Sequence, residues 1–277
     1  MRLAICNETF GAMPLGDALR LAADAGYTGW EVAPFMLTGD DPVAIGSISP
    51  RTRREYRTRV EDAGLQIVGL HWLLAKTEGF HLTTIDAAVR HRTADYLSHL
   101  GELCRDLGGD TMVLGSPGQR NYPPGQTRES ATDHAADVLS RVAPGLEALG
   151  VVLALEPLGR GEGNFWNTAG EAVEMVRRID SPSVRLHLDV KAMSDEPTPI
   201  PDIIRSHAAD LWHFHANDPN LRGPGMGDVD FGPILTALDD VGYDRWISVE
   251  VFDYEPGVES IVRDSADHLR RTEKSDV

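Results

Sequence analysis

Glu156, Asp189, His215 and Glu250 each stand at the far end of a short apolar run, in the segments VLALEP, RLHLDV, LWHFHA and ISVEV. A carboxylate buried at such a place is costly unless something offsets its charge, and one divalent cation offsets several together. Three carboxylates and one imidazole make a donor set suited to Mn²⁺, Mg²⁺ or Co²⁺, with Mn²⁺ the ion expected. A structural zinc prefers thiolates and several histidines. One acid at a strand end is as readily a salt-bridge partner. Four equivalent placements in succession are what point to a metal.

Neighbouring polar residues extend this set. His213 and His215 alternate along LWHFHA, so a strand turns both to one face, with His215 nearer the open end and His213 deeper. His187 precedes Asp189 by two and shares its face, either as a donor that steadies the ligands and the bound molecule or as a satisfied core histidine. His71 and Trp72 close the third apolar run and are expected on a pocket wall. Glu8 and Glu31 lie near the ends of the first two runs, where peripheral or loop roles are expected.

Eight strand-like runs must position these residues: 2–7, 28–33, 66–72, 111–115, 151–156, 184–189, 211–216 and 246–251. Helical patterns alternate with them at 15–25, 51–63, 84–107, 128–149, 169–179, 200–208, 232–241 and 257–271. Gly26, Gly64, Gly150 and Gly242 each fall between a helix and the next strand, where a left-handed cap is cheap only for glycine. Eight successive β-then-α units give a single-domain α/β fold, a (β/α)8 TIM barrel, because parallel strands need both faces covered and right-handed crossovers. An open doubly wound sheet fits less well, since no strand is followed by GxGxxG or a P-loop. The whole chain, 1–277, reads as this one domain, with its core in about 1–269 and a polar, expendable tail at 270–277. Long Gly/Pro-rich loops after Ala33, Trp72, Gly115 and His215 would wall an active site.

Composition narrows the partners. A formal net charge of −17 over 277 residues repels polyphosphate and anionic lipid, which argues against nucleic acid and membrane surfaces. No apolar run reaches the length of a membrane span or of a signal peptide, so the expected compartment is a reducing cytosol. Cys6 and Cys104 show no metal-motif spacing and read as small buried hydrophobes without a disulfide. Arg120, Arg160 and Arg222 are scattered and form no phosphate cradle.

The segment from Glu156 to Thr168, EPLGRGEGNFWNT, resembles the metal-binding stretch of ketose 3-epimerases of the tagatose/psicose epimerase type, within the xylose-isomerase-like sugar phosphate isomerase/epimerase superfamily. The likeness extends to Asp189, His215 and Glu250 and to the loop from Asn217 to Asp228, and it is strongest over residues 151–251. It implies a carbohydrate substrate, with Glu162 and Arg222 contacting its hydroxyls and His71, Trp72, Lys191 and His187 shaping the pocket around it. It also implies a metal-stabilised enediolate, with Glu156 and Glu250 as the catalytic acid and base on opposite sides of the reacting carbon. The epimerases carry a histidine three residues after the metal-binding aspartate, whereas this chain has Ala192 there, preceded by Lys191.

Three other outcomes stay open on this reading. Transfers on one face between adjacent carbons give aldose–ketose isomerisation. Expulsion of a β-hydroxyl from the same enolate gives a lyase, as in the similar inosose and dehydroshikimate dehydratases. A barrel that binds without catalysis keeps these residues for structure. Phosphodiester hydrolysis, as in the similarly folded endonuclease IV, is disfavoured by the acidic charge and the single rim imidazole. A homo-oligomer is compatible with the fold and is not fixed by the sequence.

Overall fold

In the computed structural model, which describes residues 1–38 and 44–275, eight parallel strands close into a barrel in chain order. They are β1 (Arg2–Cys6), β2 (Gly29–Val32), β3 (Gln66–Leu70), β4 (Thr111–Leu114), β5 (Val152–Leu155), β6 (Val184–Asp189), β7 (Leu211–Ala216) and β8 (Trp246–Val249). Around them run α1 (Leu15–Asp24), α2 (Phe35–Thr38), α3 (Pro50–Asp62), α4 (Ala87–Leu107), α5 (Arg128–Leu149), α6 (Ala169–Ile179), α7 (Val190–Met193), α8 (Ile200–Ser206), α9 (Phe231–Asp240) and α10 (Val258–Ser275). Every expected strand and main helix is present. The boundaries move where a cap decides them: Asp86 accepts bonds from the amides of Ala88 and Val89, so α4 starts at Ala87 and not at Thr84. The four glycines expected to end helices lie at φ 83°, 81°, 65° and 68°.

The strands are apolar outward, where Leu, Ile and Val pack under the helices. Their inward residues divide along the barrel axis. Ala4, Val68 and Trp246 form a small apolar cluster of their own, whereas Cys6, Glu31, His187, His213 and Ser248 are fully buried within strands at other levels. Two irregularities set the register. A bulge between Trp30 and Glu31 skips Val68 on β3, and another between Leu186 and His187 skips Trp212 on β7. The second pairs His187 with His213 and Asp189 with His215, so two rows of polar side chains come level across neighbouring strands.

Residues 270–275, read from sequence as part of an expendable tail, continue α10. Arg270 Nη1 donates to the carbonyl of Ala25 at 2.7 Å, and Glu273 pairs with the N-terminal ammonium at 2.8 Å. Asp276 and Val277, the end of that tail, lie outside the described residues, as does part of the loop after Ala33. Short helices also appear where loops were expected, of which α7 matters most because Asp189 caps it. Among the described residues no helix is long and apolar enough to cross a membrane, and both cysteines are free and buried.

Gly69 shows how closely the barrel is drawn between β3 and β4. A β-carbon there would lie 1.8 Å from the carbonyl oxygen of Thr111, a backbone atom that cannot step aside. Gly69→Ala is therefore expected to destabilise the fold by about 1–3 kcal/mol or more. An unchanged midpoint in urea unfolding would show that the two strands separate freely.

Candidate metal centre and substrate cavity

The C-terminal ends of the strands deliver the chemistry, as in other barrels of this architecture. Glu156, just beyond β5, and Glu250, just beyond β8, both line a cavity of about 420 Å³. Trp72, Gly115, Leu158, Glu162 and Phe252 share its wall. Behind the two glutamates lie Asp189 and His215, each nearly or fully inaccessible. Gly115 makes room for the first of them: a β-carbon there would come within 2.1 Å of Glu156 Oε2.

Of the four residues expected to hold a cation, Glu156, Asp189 and His215 each present one ligand atom within 4.8 Å of the others. The fourth member of that group is His187, whose ring is fully buried and whose two nitrogens have no hydrogen-bond partner. Its Nε2 lies 3.9 Å from Glu156 Oε1, and its ring crosses that of His215 at 4.2 Å between centroids. Burial, with His215 and His213 nearby, holds His187 well below the ordinary imidazole range, so the ring is neutral and one of its two nitrogens offers a lone pair. Glu250 joins the group through His215, whose Nδ1 is 3.1 Å from Glu250 Oε2, and its other oxygen accepts from Trp72 Nε1 at 2.7 Å. Trp72 takes up a left-handed backbone, φ 50°, at the end of β3, a conformation bulky residues rarely hold.

Glu31, expected to be peripheral, is at the centre. It is fully buried and pairs with two imidazoles, Oε2 with His213 Nε2 at 2.9 Å and Oε1 with His215 Nε2 at 3.1 Å. Burial alone would raise its pKa, but His213 and His215 pull it well below the usual carboxylate range. Burial would likewise lower His215, yet Glu31 and Glu250 on its two sides hold it well above. Glu31 is thus placed to receive the Nε2 proton while Nδ1 faces the cluster, the carboxylate–imidazole arrangement that fixes a ligating histidine. Glu8 is buried as well, accepting from His71 Nε2 at 2.6 Å.

Around this core the carboxylates crowd one another. Burial, then Glu250 and Asp189, push Glu156 well above its ordinary pKa, and burial raises Asp189 too. Glu250 goes the other way: burial would raise it, but His215 and His71 together pull it below the usual range. Asp189 Oδ1 accepts from the amide of Ala192, and Oδ2 from Asn217 Nδ2 at 2.6 Å. Asn217 closes a small lattice by accepting from the amide of Lys191 through its side-chain oxygen. Lys191 Nζ donates to Glu162 Oε2 at 2.6 Å and stands 4.8 Å above the Phe252 ring.

The residues expected to contact substrate divide. Trp72 and Glu162 line the cavity, and Lys191 touches two of its wall residues. His71 and His187 are fully buried behind the wall, the first because its ring is tied to Glu8, the second because it packs against His213 and His215. Arg222 does not enter the cavity: Nε donates to Asp253 Oδ2 at 2.9 Å and Nη2 pairs with Glu255, and these two acids in the loop after β8 hold it outside. Besides missing Glu31, the sequence reading gave no individual role to Asn217 or Gly115. Glu31 had a signal, since it sits one residue before the end of β2 much as the other acids sit at their strand ends.

A closed (β/α)8 barrel whose strand ends carry acids and imidazoles beside a small cavity defines a class of enzymes. Within it this chain belongs to the xylose isomerase-like TIM barrel family, which it matches over residues 19–272. It is 28% identical over 248 residues to L-ribulose 3-epimerase of Mesorhizobium japonicum, covering 89% of this chain and 80% of the relative. It is 34% identical over 120 residues to D-psicose 3-epimerase of Ruminiclostridium cellulolyticum, 43% and 41% of the two chains. The fold superposes on D-psicose 3-epimerase from Clostridium cellulolyticum, solved with D-tagatose, with a TM-score of 0.84 over 100% of this chain and 99% of that one, at 20% identity. It superposes equally, TM-score 0.84 at 19% identity over 98% and 99%, on 3-keto-D-glucoside 4-epimerase from E. coli. The chain is an enzyme of the isomerase and epimerase type.

Because two imidazoles depend on one buried carboxylate, Glu31→Ala is expected to cost about 3–5 kcal/mol, the penalty for leaving a buried charge unpartnered. Chemical denaturation measures this, and an unchanged midpoint would mean that His213 and His215 do not rely on Glu31.

Proposed function

We propose that this enzyme is a divalent-metal-dependent epimerase or isomerase that moves a proton next to the carbonyl of a keto-sugar or keto-sugar derivative. The observation that carries the reading is that Glu156 and Glu250, delivered by the ends of β5 and β8, face one small cavity, with Asp189 and His215 grouped beside Glu156. Two carboxyl groups that reach one cavity from different strands are what removal of a proton from one side of a carbon and its return to the other require. The named relatives supply the substrate class: L-ribulose 3-epimerase and D-psicose 3-epimerase.

The donor set fits a divalent cation. Glu156, Asp189 and His215 would hold it, with Glu250 from the cavity side and the unpartnered His187 from within. When bound there, it supplies the Lewis acidity that makes the C–H beside a carbonyl acidic enough to lose its proton. The protein's own groups do the rest. Glu250, fixed by Trp72 and His215, takes or returns the proton on one side, and Glu156 acts on the other. Glu162 and Lys191 form an acceptor and donor pair for hydroxyls at the mouth, and Trp72 and Phe252, stacked at 5.9 Å, exclude water from one flank.

Loss of water from the same intermediate is the second reading. It is favoured by one observation, the Lys191 ammonium held beside the cavity where the epimerases instead carry a histidine one residue later. Incubation of metal-supplemented enzyme with keto-sugars, 3-keto-glycosides and inososes in D₂O separates the two. Epimerisation incorporates deuterium at unchanged connectivity, elimination yields a product lighter by one water, and neither across the panel defeats both.

Glu156→Gln and Glu250→Gln are each expected to lower turnover by about 10²–10⁴-fold with the fold retained, as circular dichroism would verify. Chelation should abolish exchange, and Mn²⁺ or Co²⁺ should restore it. Glu156 and His215 hold protons that a cation must displace, so metal affinity should rise with pH. The enthalpy of binding should also vary with the buffer's ionisation enthalpy in calorimetry. A pH-independent affinity would remove these two residues from the ligand set.

A further inference from the structure

A second group of donors lies beside the first. Cys6 at the end of β1, Glu8 two residues on, His71 just past β3 and Glu250 each offer an atom within 4.8 Å of the others, and all four are buried. Glu8 Oε1 and His71 Nδ1 have no hydrogen-bond partner although both are cut off from solvent. Cys6 Sγ lies 3.6 Å from the hydroxyl of Ser248 and also neighbours the His71 and His215 rings. Among the described residues, Glu8 and Glu250 are salt-bridged only to imidazoles, never to lysine or arginine. Orphaned donors of this kind in a sealed interior are costly, and a cation satisfies them together.

We propose that Cys6, Glu8, His71 and Glu250 form a second cation site, one that takes a thiophilic divalent ion such as Zn²⁺ or Co²⁺. Sulfur and imidazole donors set its preference apart from the oxygen-rich cluster of Glu156 and Asp189, which suits Mn²⁺ or Mg²⁺. Four protein donors close its coordination, so this ion would carry no substrate. Glu250 belongs to this group and is bonded to His215 of the first, so it would lie between the two cations, with the His71 and His215 rings, 6.3 Å apart, one in each. On binding, Cys6 gives up its thiol proton to solvent and bonds as thiolate, with no change of oxidation state. The proposal shares Glu250 with the metal reading above but not Cys6, Glu8 or His71, so the two can be judged separately.

The test is titration of chelator-stripped, full-length enzyme with Co²⁺, followed by elemental analysis and by the near-ultraviolet thiolate-to-cobalt charge-transfer band. The expected result is uptake of two equivalents, one bringing the band. Cys104→Ser should keep the band, because that thiol sits elsewhere and donates to the carbonyl of Thr111. Cys6→Ser should lose both band and second equivalent while the first still binds, and Glu156→Gln should keep the band. A single equivalent with no band in the wild-type enzyme would overturn the second site and leave the first standing. No uptake at all would overturn both. The wild-type spectrum decides the matter even if Cys6→Ser does not fold.

Discussion

Charge compensation in a closed interior governs this molecule. Glu8, Glu31, Glu156, Asp189 and Glu250 are all buried at one end of the barrel, where each would be untenable alone. Imidazoles answer part of this, with His213 and His215 on Glu31, His215 on Glu250 and His71 on Glu8. Lysine and arginine make few direct bonds to these acids: Lys191 bonds Glu162 at the rim while its charge also favours the ionised Asp189, and the buried Arg120 donates to backbone carbonyls of Glu156 and Trp166. What remains is a set of crowded acids beside a cavity, the feature on which the proposed cation site rests.

That arrangement sets the two ends of the barrel interior apart. Ala4, Val68 and Trp246 keep one level of the interior apolar, and the polar rows begin above the two register irregularities. Around the mouth the supports are stiff. Asn217 joins Asp189 to the Lys191 amide, α7 is capped by Asp189 itself, and Trp72 holds Glu250 from a backbone conformation that packing must impose. Groups fixed in this way need little rearrangement as charge develops during reaction.

Much of this was legible in the chain. Eight alternating runs and their glycine punctuation gave the barrel, because strand burial and helix capping act over a few residues and leave a local trace. Glu156, Asp189, His215 and Glu250 were legible for the same reason, each closing a strand. The central position of Glu31 and the packing of His187 against His213 and His215 were not. Both follow from bulges, in which one strand advances a residue against its neighbour, and a bulge is a property of two segments far apart in sequence. The pairing of Arg222 was hidden for a related reason: the loop after β7 was readable, but Asp253 and Glu255, which it bonds, belong to the loop after β8.

The bulge between Leu186 and His187 has a bearing on how such an enzyme can diversify. Because side chains alternate in and out along a strand, losing or gaining one residue in β6 or β7 would turn a whole row of donors toward the helices. Exchanges of one amino acid for another leave that alternation untouched. Lineages and laboratory libraries built on this scaffold should therefore accept length variation in the rim loops and swaps of wall residues such as Phe252 or Leu158, while the strands that carry the acids stay fixed in length.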